Sequence, residues 1–258
     1  MTEGLRDRRQ RGRTRPGALA IGGRRPVLEA IRSGRARRVL VAHGVHETEG
    51  LRALIEAAEG AGLAVERVEP AALDGLGLRD HQGAAAWVAL PSELDDRAVG
   101  SMTFKADAVV VVLDGITDPQ NLGACARSAE AAGAALIVTR KRRAAPLTPA
   151  AIRASAGALL HLPVARVTNI PRSLEVLRDR GFFLAGLDHR ADGDVHHAPA
   201  PPRPMALVVG AEDVGLSRLV RETCDVLIAI PMRGRTASLN ASAALSVGLF
   251  AYALRPNR

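Results

Sequence analysis

The sequence predicts two α/β domains in series, the second built on a mostly parallel sheet. Strands and helices alternate through residues 18–90, as in a small α/β unit. Ala108-Val109-Val110-Val111-Val112-Leu113 is a continuous run dominated by β-branched residues, which suits a strand buried on both faces of a parallel sheet. Between them, Pro91 to Thr103 is polar and acidic and opens with proline. The division is therefore an arm at 1–17, a first domain at 18–90, a linker at 91–104 and a second domain at 105–258. Apolar residues make up 47% of the chain, enough to fill both cores.

In order, Ala18 to Gly23 reads as a short strand into a turn. Arg25 to Ile31 follows as a helix, with Pro26 near its start and apolar residues at helical spacing. Arg38 to Ala42 is a buried strand. Gly50 to Ala61 is an amphipathic helix that Gly62 ends. Ala64 to Val68 is a strand, and Asp80-His81-Gln82-Gly83 leads into a last one at Ala84 to Leu90. In the second domain the strand at 108–113 precedes a turn and a helix from Asn121 to Ala132, with Asn121 as the N-cap. Further strands fall at Ala135–Thr139, Phe182–Gly186, Met205–Val209 and Val226–Ile230. Asn240 to Ala251 is a closing helix.

The formal charge is +8, which favours a polyanionic partner. Of the 35 basic residues only Lys105 and Lys141 are lysine, a bias that a GC-rich genome explains. The net charge needs another account. Arg6, Arg8, Arg9, Arg11, Arg13 and Arg15 stand against Glu3 and Asp7 in a stretch almost free of apolar residues. Such a block is expected to be disordered, and reads equally as a solvated tail or as an arm on phosphates. Aromatic residues are 2% of the chain, so bases are not read on aromatic platforms. Cys125 and Cys224 lie far apart without metal spacing, which argues against a disulfide framework or zinc site. The apolar run 108–113 is too short to cross a bilayer, and the arm lacks a signal peptide's apolar core, so the expectation is a cytoplasmic protein off the membrane.

No G-x-G-x-x-G follows the first strand of either domain, and no G-x-x-x-x-G-K-[ST] occurs, which disfavours dinucleotide and P-loop chemistry. Three loop segments stand out in the last quarter: Gly210-Ala211-Glu212-Asp213-Val214-Gly215-Leu216, Ile230-Pro231-Met232, and Ser238-Leu239-Asn240-Ala241-Ser242. They suit a small-molecule pocket at the ends of buried strands. A fourth, Asp118-Pro119-Gln120-Asn121-Leu122-Gly123 with Arg127, adds polar groups that a cofactor pocket alone does not need.

Together the four resemble the three motifs of the SPOUT superfamily in its RNA ribose 2′-O-methyltransferase branch, the TrmH family. Leu113 to Arg127 carries the first motif, Gly210 to Leu216 the second, and Ile230 to Met232 with Ser238 to Ser242 the third. Ile21 to Val27 and His81-Gln82-Gly83 resemble, more weakly, the small substrate domain of a ribosomal-protein type that precedes the catalytic domain in the 23S rRNA (guanosine-2′-O-)-methyltransferase subgroup, the RlmB type. The resemblance implies a trefoil-knotted parallel α/β sheet in the second domain and an obligate homodimer. It also implies S-adenosylmethionine as cofactor, held at Gly210, Ile230, Met232, Leu239 and Asn240. It places Arg127, Asn121, Glu212, Ser238 and Asn240 in the catalytic set. Arg127 falls on the position of the family's catalytic arginine. As a base it is poor, because its pKa exceeds about 12, and anchoring a phosphate is easier for it; both roles stay open. Arg24, Arg25, Arg140, Lys141, Arg142 and Arg143 are the RNA contacts.

The implied activity is methylation of a ribose 2′-oxygen in RNA, at a guanosine of 23S rRNA. A tRNA ribose methyltransferase and an antibiotic-resistance rRNA methyltransferase are the near alternatives, and the two-domain layout favours rRNA. An idle RNA-binding protein is the alternative of another class; intact Asn121, Arg127, Glu212 and Asn240 speak against it. Two features depart from the pattern. Leu160 stands where many relatives carry Glu, so the resemblance assigns no carboxylate there. Asp188 to His197 is rich in metal-type residues but fits no standard zinc spacing, and reads as a loop without metal.

Overall fold

The computed structural model describes residues 18–78, 80–212, 214–236 and 238–255. The basic arm at 1–17 lies outside the described residues. The chain divides into two compact units between Leu90 and Pro91.

The first unit runs β1 (Ala18–Gly22), α1 (Arg24–Arg32), β2 (Ala36–Ala42), α2 (Glu49–Gly60), β3 (Val65–Val68), α3 (Pro70–Asp74) and β4 (Ala84–Ala89). Its sheet has the order β1-β4-β2-β3. β4 is antiparallel to both neighbours, and β2 is parallel to β3. In α1 the buried residues Val27, Ala30 and Ile31 recur at helical spacing. α2 starts where the Thr48 hydroxyl accepts from the Leu51 amide at 3.3 Å. The loop before β4 is tied locally. His81 Nδ1 accepts from the Gly83 amide at 3.0 Å, and His81 Nε2 lies 3.0 Å from Asp74 Oδ1. Gly83 has φ +75°, and a Cβ there would come within 2.4 Å of the Val45 side chain, so this turn requires glycine.

The second unit runs α4 (Asp96–Ser101), β5 (Val109–Asp114), α5 (Pro119–Ala131), β6 (Leu136–Arg140), α6 (Pro149–Ala154), a 3₁₀ turn (Ala158–Leu160), β7 (Val164–Val167), α7 (Ile170–Asp179), β8 (Phe183–Leu187), β9 (Gly193–Asp194), β10 (Met205–Gly210), α8 (Arg218–Thr223), β11 (Val226–Ala229) and α9 (Ala241–Val247). The last helix continues as π-helical turns over Gly248–Ala253. The sheet order is β7-β6-β5-β10-β8-β11-β9. Every pairing is parallel. β5 and β10 are buried along their whole length, as continuous apolar runs in a sheet covered on both faces should be. Their register sets Asp114 beside Gly210, so the loops that follow these strands leave the same edge side by side.

Three expectations need correction. The helix after β5 begins two residues early, at Pro119, and its N-cap is Asp118, whose Oδ1 accepts from the Gln120 amide at 3.0 Å. Proline at the first helical position is preorganised for this start, and the choice leaves the Asn121 side chain free of capping. The segment 91–104, expected as a linker, is folded onto the second unit. Leu94 bonds both ways to the β7 backbone, to Val164 O at 2.9 Å and from Arg166 N at 2.8 Å. Val99 of α4 is fully buried in that unit's core, because apolar residues are spaced through the acidic stretch. The closing helix is α-helical only to Val247 before it widens.

Candidate active site

The loops after β8, β10 and β11 converge with the start of α9 at the carboxyl edge of the sheet, where ligands bind in open parallel sheets. They surround an open pocket. Of the residues expected from the sequence, Gly210, Ile230, Met232 and Leu239 line it, as do Ser238 and Glu212, whereas Asn240 and Asn121 do not. Leu187 at the end of β8, and Asp188 and His189 just after it, line it too, positions that no sequence motif marks.

Asn121, Glu212 and Asn240 form one hydrogen-bonded chain. Asn240 donates from Nδ2 to Asn121 Oδ1 at 2.9 Å. Asn121 donates from its own Nδ2 to Glu212 Oε1 at 2.8 Å. Asn240 also caps α9, its Oδ1 accepting from the Ser242 and Ala243 amides at 2.8 and 3.3 Å. The relay thus fixes both amide orientations and joins α5, the loop after β10 and α9. Behind it, Cys125 is fully buried. Burial first, and the nearby Glu212 charge second, push its thiol up to about 12, so it is inert at neutral pH.

Gly210 is required by the fold of its own loop. A Cβ at 210 would lie 2.1 Å from the carbonyl carbon and oxygen of Gly215, and 2.4 Å from the Leu216 nitrogen. The loop returns on itself here, with Gly215 N donating to Ala211 O at 2.8 Å, and the glycine makes room for that return.

The basic candidates divide. Arg127 is exposed on α5, and among the described residues it has no hydrogen bond or ion pair; it does not line the pocket. Arg25 and Lys141, Arg142 and Arg143 are exposed. Arg24 is engaged internally, donating to Gln82 O at 3.1 Å and to the Thr48 hydroxyl. Arg140 is engaged by Asp114, a buried residue that the sequence reading left without a role. Its Nη2 and Nε reach Asp114 Oδ1 at 2.6 and 3.1 Å. A charged residue closing an otherwise apolar strand was the available signal.

Leu160 is fully buried, an apolar position in this chain. The segment 188–197 is more ordered than the loop it was read as. Asp188 is buried, accepts from the Arg190 backbone amide at 2.9 Å, and sets Oδ2 2.7 Å from Arg221 Nε as an ion pair without hydrogen-bond alignment. Burial pushes its carboxyl up, but Arg190 and the Arg221 charge outweigh that and hold it below the usual carboxylate range. Asp194 is held at about 2 by its bond to the His197 ring and then by the His196 amide. No group of three or more His, Cys, Asp or Glu with metal-binding geometry occurs among the described residues.

Comparison with known proteins bears on this geometry. Residues 108–250 match the SpoU rRNA Methylase family, and residues 20–94 match the RNA 2′-O ribose methyltransferase substrate-binding domain. The chain is 37% identical over 235 residues to a putative TrmH family tRNA/rRNA methyltransferase of Staphylococcus saprophyticus, covering 90% of this chain and 94% of that one. It is 42% identical over 171 residues to the 23S rRNA (guanosine-2′-O-)-methyltransferase RlmB of Photobacterium profundum, covering 66% and 69%. Its structure is similar to that of the SpoU methyltransferase AviRb from Streptomyces viridochromogenes in complex with AdoMet, with a TM-score of 0.73, 28% identity, and coverage of 92% and 90%.

Proposed function

The chain belongs to the SpoU rRNA methylase family, and from that premise we propose that it methylates a ribose 2′-oxygen in RNA, at a guanosine of 23S rRNA. The observation that carries the reading is the Glu212–Asn121–Asn240 relay at the rim of a pocket walled by Ile230, Met232 and Leu239.

The pocket fits S-adenosylmethionine. Its apolar walls suit an adenine ring, while Glu212 sets a carboxylate among the lining groups that complements positive charge. When bound, the cofactor supplies a methyl group on a positively charged sulfur. The residues then have three tasks. The loops 210–216 and 230–240 hold the donor, with Ser238 and Asn240 offering polar contacts. The relay fixes those loops relative to α5. Arg127 engages the RNA beside the reacting ribose, through a phosphate or the hydroxyl itself. Together these residues would place the ribose 2′-oxygen in line with the bound donor's methyl group.

In this reading the first unit selects the RNA, and Arg25 and Lys141 to Arg143 contact its phosphates. Two copies pair so that Arg127 of one faces the pocket of the other. Its exposure, with no partner among the described residues of its own chain, supports this. So does the exposed Phe250 on the terminal helix, 54% accessible. The knotted path and a cytoplasmic location belong to the same proposal; the family match over residues 108–250 supports both. Among the described residues no helix is long and apolar enough to cross a membrane.

The test is paired. Calorimetry should detect S-adenosylmethionine binding, and mapping of 2′-O-methyl groups should show one 23S rRNA guanosine that loses its mark without the gene. No binding at millimolar cofactor removes the enzymatic reading; a lost mark in tRNA instead replaces the substrate.

A further inference from the structure

Asp114 closes β5 with its side chain 2% exposed, and its two oxygens serve different loops. Oδ1 takes both Arg140 contacts, at 2.6 and 3.1 Å. Oδ2 accepts the Ser217 amide at 2.8 Å. Ser217 ends the loop that began at Gly210 and walls the pocket. Arg140 begins the exposed basic tip Lys141-Arg142-Arg143. That tip is held from behind as well. Lys141 N donates to Val167 O at 2.8 Å. The buried Arg166 donates to Arg140 O at 3.4 Å and to Ala145 O at 2.7 Å. The tip is therefore a rigid presentation of cations, and one buried carboxylate bridges it to the pocket wall.

We propose that Asp114 is a positioning residue that couples RNA phosphate binding at Lys141–Arg143 to cofactor binding at 210–216. The inference rests on the RNA methyltransferase reading. Anion binding at the tip bears on Arg140, whose charge-assisted bonds fix the carboxylate, and the carboxylate in turn fixes the Ser217 amide. Two ligands that favour the same arrangement of a shared element bind cooperatively, and the effect is reciprocal.

The experiment measures the affinity of the full chain for S-adenosylhomocysteine by calorimetry, with and without an unmodified 23S rRNA transcript. In the wild type, RNA should tighten the affinity by roughly 5- to 150-fold, the common range of such coupling. Asp114→Asn keeps an acceptor for the Ser217 amide but loses the ion pair, and should reduce the coupling to less than about twofold. Arg140→Gln changes a partly exposed side chain, leaves the buried position intact, and should do the same; Arg140→Lys should recover part. Both Asn and Gln variants should hold S-adenosylhomocysteine alone within about threefold of wild type, which a merely structural defect would not allow. Absence of coupling in the wild type, or its persistence in both variants, overturns the proposal. Failure of the wild type to bind S-adenosylhomocysteine at all would instead strike the enzymatic reading.

Discussion

Asn240 donates a hydrogen bond to Asn121 across 119 residues of sequence, and Asn121 passes the chain on to Glu212. Neither amide has an independent orientation, because Asn240 Oδ1 is also the cap of α9. Replacing Asn121 by Ala removes the middle of the relay. The expected outcome is a loss of turnover of roughly tenfold to 10²-fold from misplacement of the loops, with a stability loss of about 0.5–1.5 kcal/mol per lost bond. Single-turnover kinetics beside a thermal melt separates the two; unchanged turnover would leave the relay without a catalytic role.

Arg127→Ala should leave cofactor affinity within about twofold and lower turnover by roughly 10²–10⁴. If Arg127 faces the partner's pocket, mixing this variant with Leu239→Asp, defective in the pocket, should regain activity through hybrid dimers. Two inactive variants that stay inactive on mixing would argue for a site within one chain.

Gly210→Ala puts a methyl 2.1 Å from the Gly215 carbonyl. The loop must open, at a cost of about 3 kcal/mol, the upper end of overpacking penalties. A melting point lower by roughly 6–12 °C, with loss of cofactor binding, is the expected result. A variant that melts normally but fails to bind would make ligand approach the reason for the glycine.

Cys125 and Cys224 are each raised from 9.0 to about 12, in both cases first by burial. Below about pH 9 the folded and unfolded chains both hold these protons, and the thiols impose no pH dependence. Between pH 9 and 12 the unfolded chain releases them and the folded chain does not, so stability is lost as pH rises through this window. Urea melts from about pH 8 to 11 should show the decline, and Cys125→Ala, compared at each pH, should flatten it. A thiol reagent that modifies Cys125 rapidly in the native protein at about pH 8 would contradict its burial.

Removal of residues 1–17 should flatten the plot of log RNA affinity against log salt by roughly two to four units, at about 0.7–0.9 per phosphate contact. The methylated nucleotide should not move, since contacts from arginine to phosphates carry no sequence information. An unchanged slope would make the arm a passive tail.

The sequence was most informative where burial and chemistry reinforce one another. β5 and β10 are continuous apolar runs, and the polar loops after them are rich in residues that serve a site. Short elements were hidden for a physical reason. α3, α6 and α8 have five or six residues, too few for an apolar period to repeat. β7 was masked by Arg166, a charge at a buried position, legible only once Glu93, Arg140 and Ala145 are seen to bind its guanidinium. Asp118 and Asn121 are equally good caps by residue type, and Pro119 decides between them. Arg24 and Arg140 looked like free cations because their acceptors lie 58 and 26 residues away.

The insertion of β10 between β5 and β8 also bears on how the protein is made. A nascent chain that has reached residue 204 holds β5, β6 and β7 but lacks the strand that covers the outer side of β5. That edge is buried and apolar in the finished molecule, and while it waits it can pair with other chains. The pocket cannot take a ligand until the start of α9 has been synthesised, because Ser238, Leu239 and Ala241 complete its wall. Premature termination in the closing helix therefore separates two outcomes: stops at or before Ala244 remove part of the wall, whereas stops beyond it remove buried anchors such as Leu249 and Tyr252 and leave an assembled but poorly secured wall.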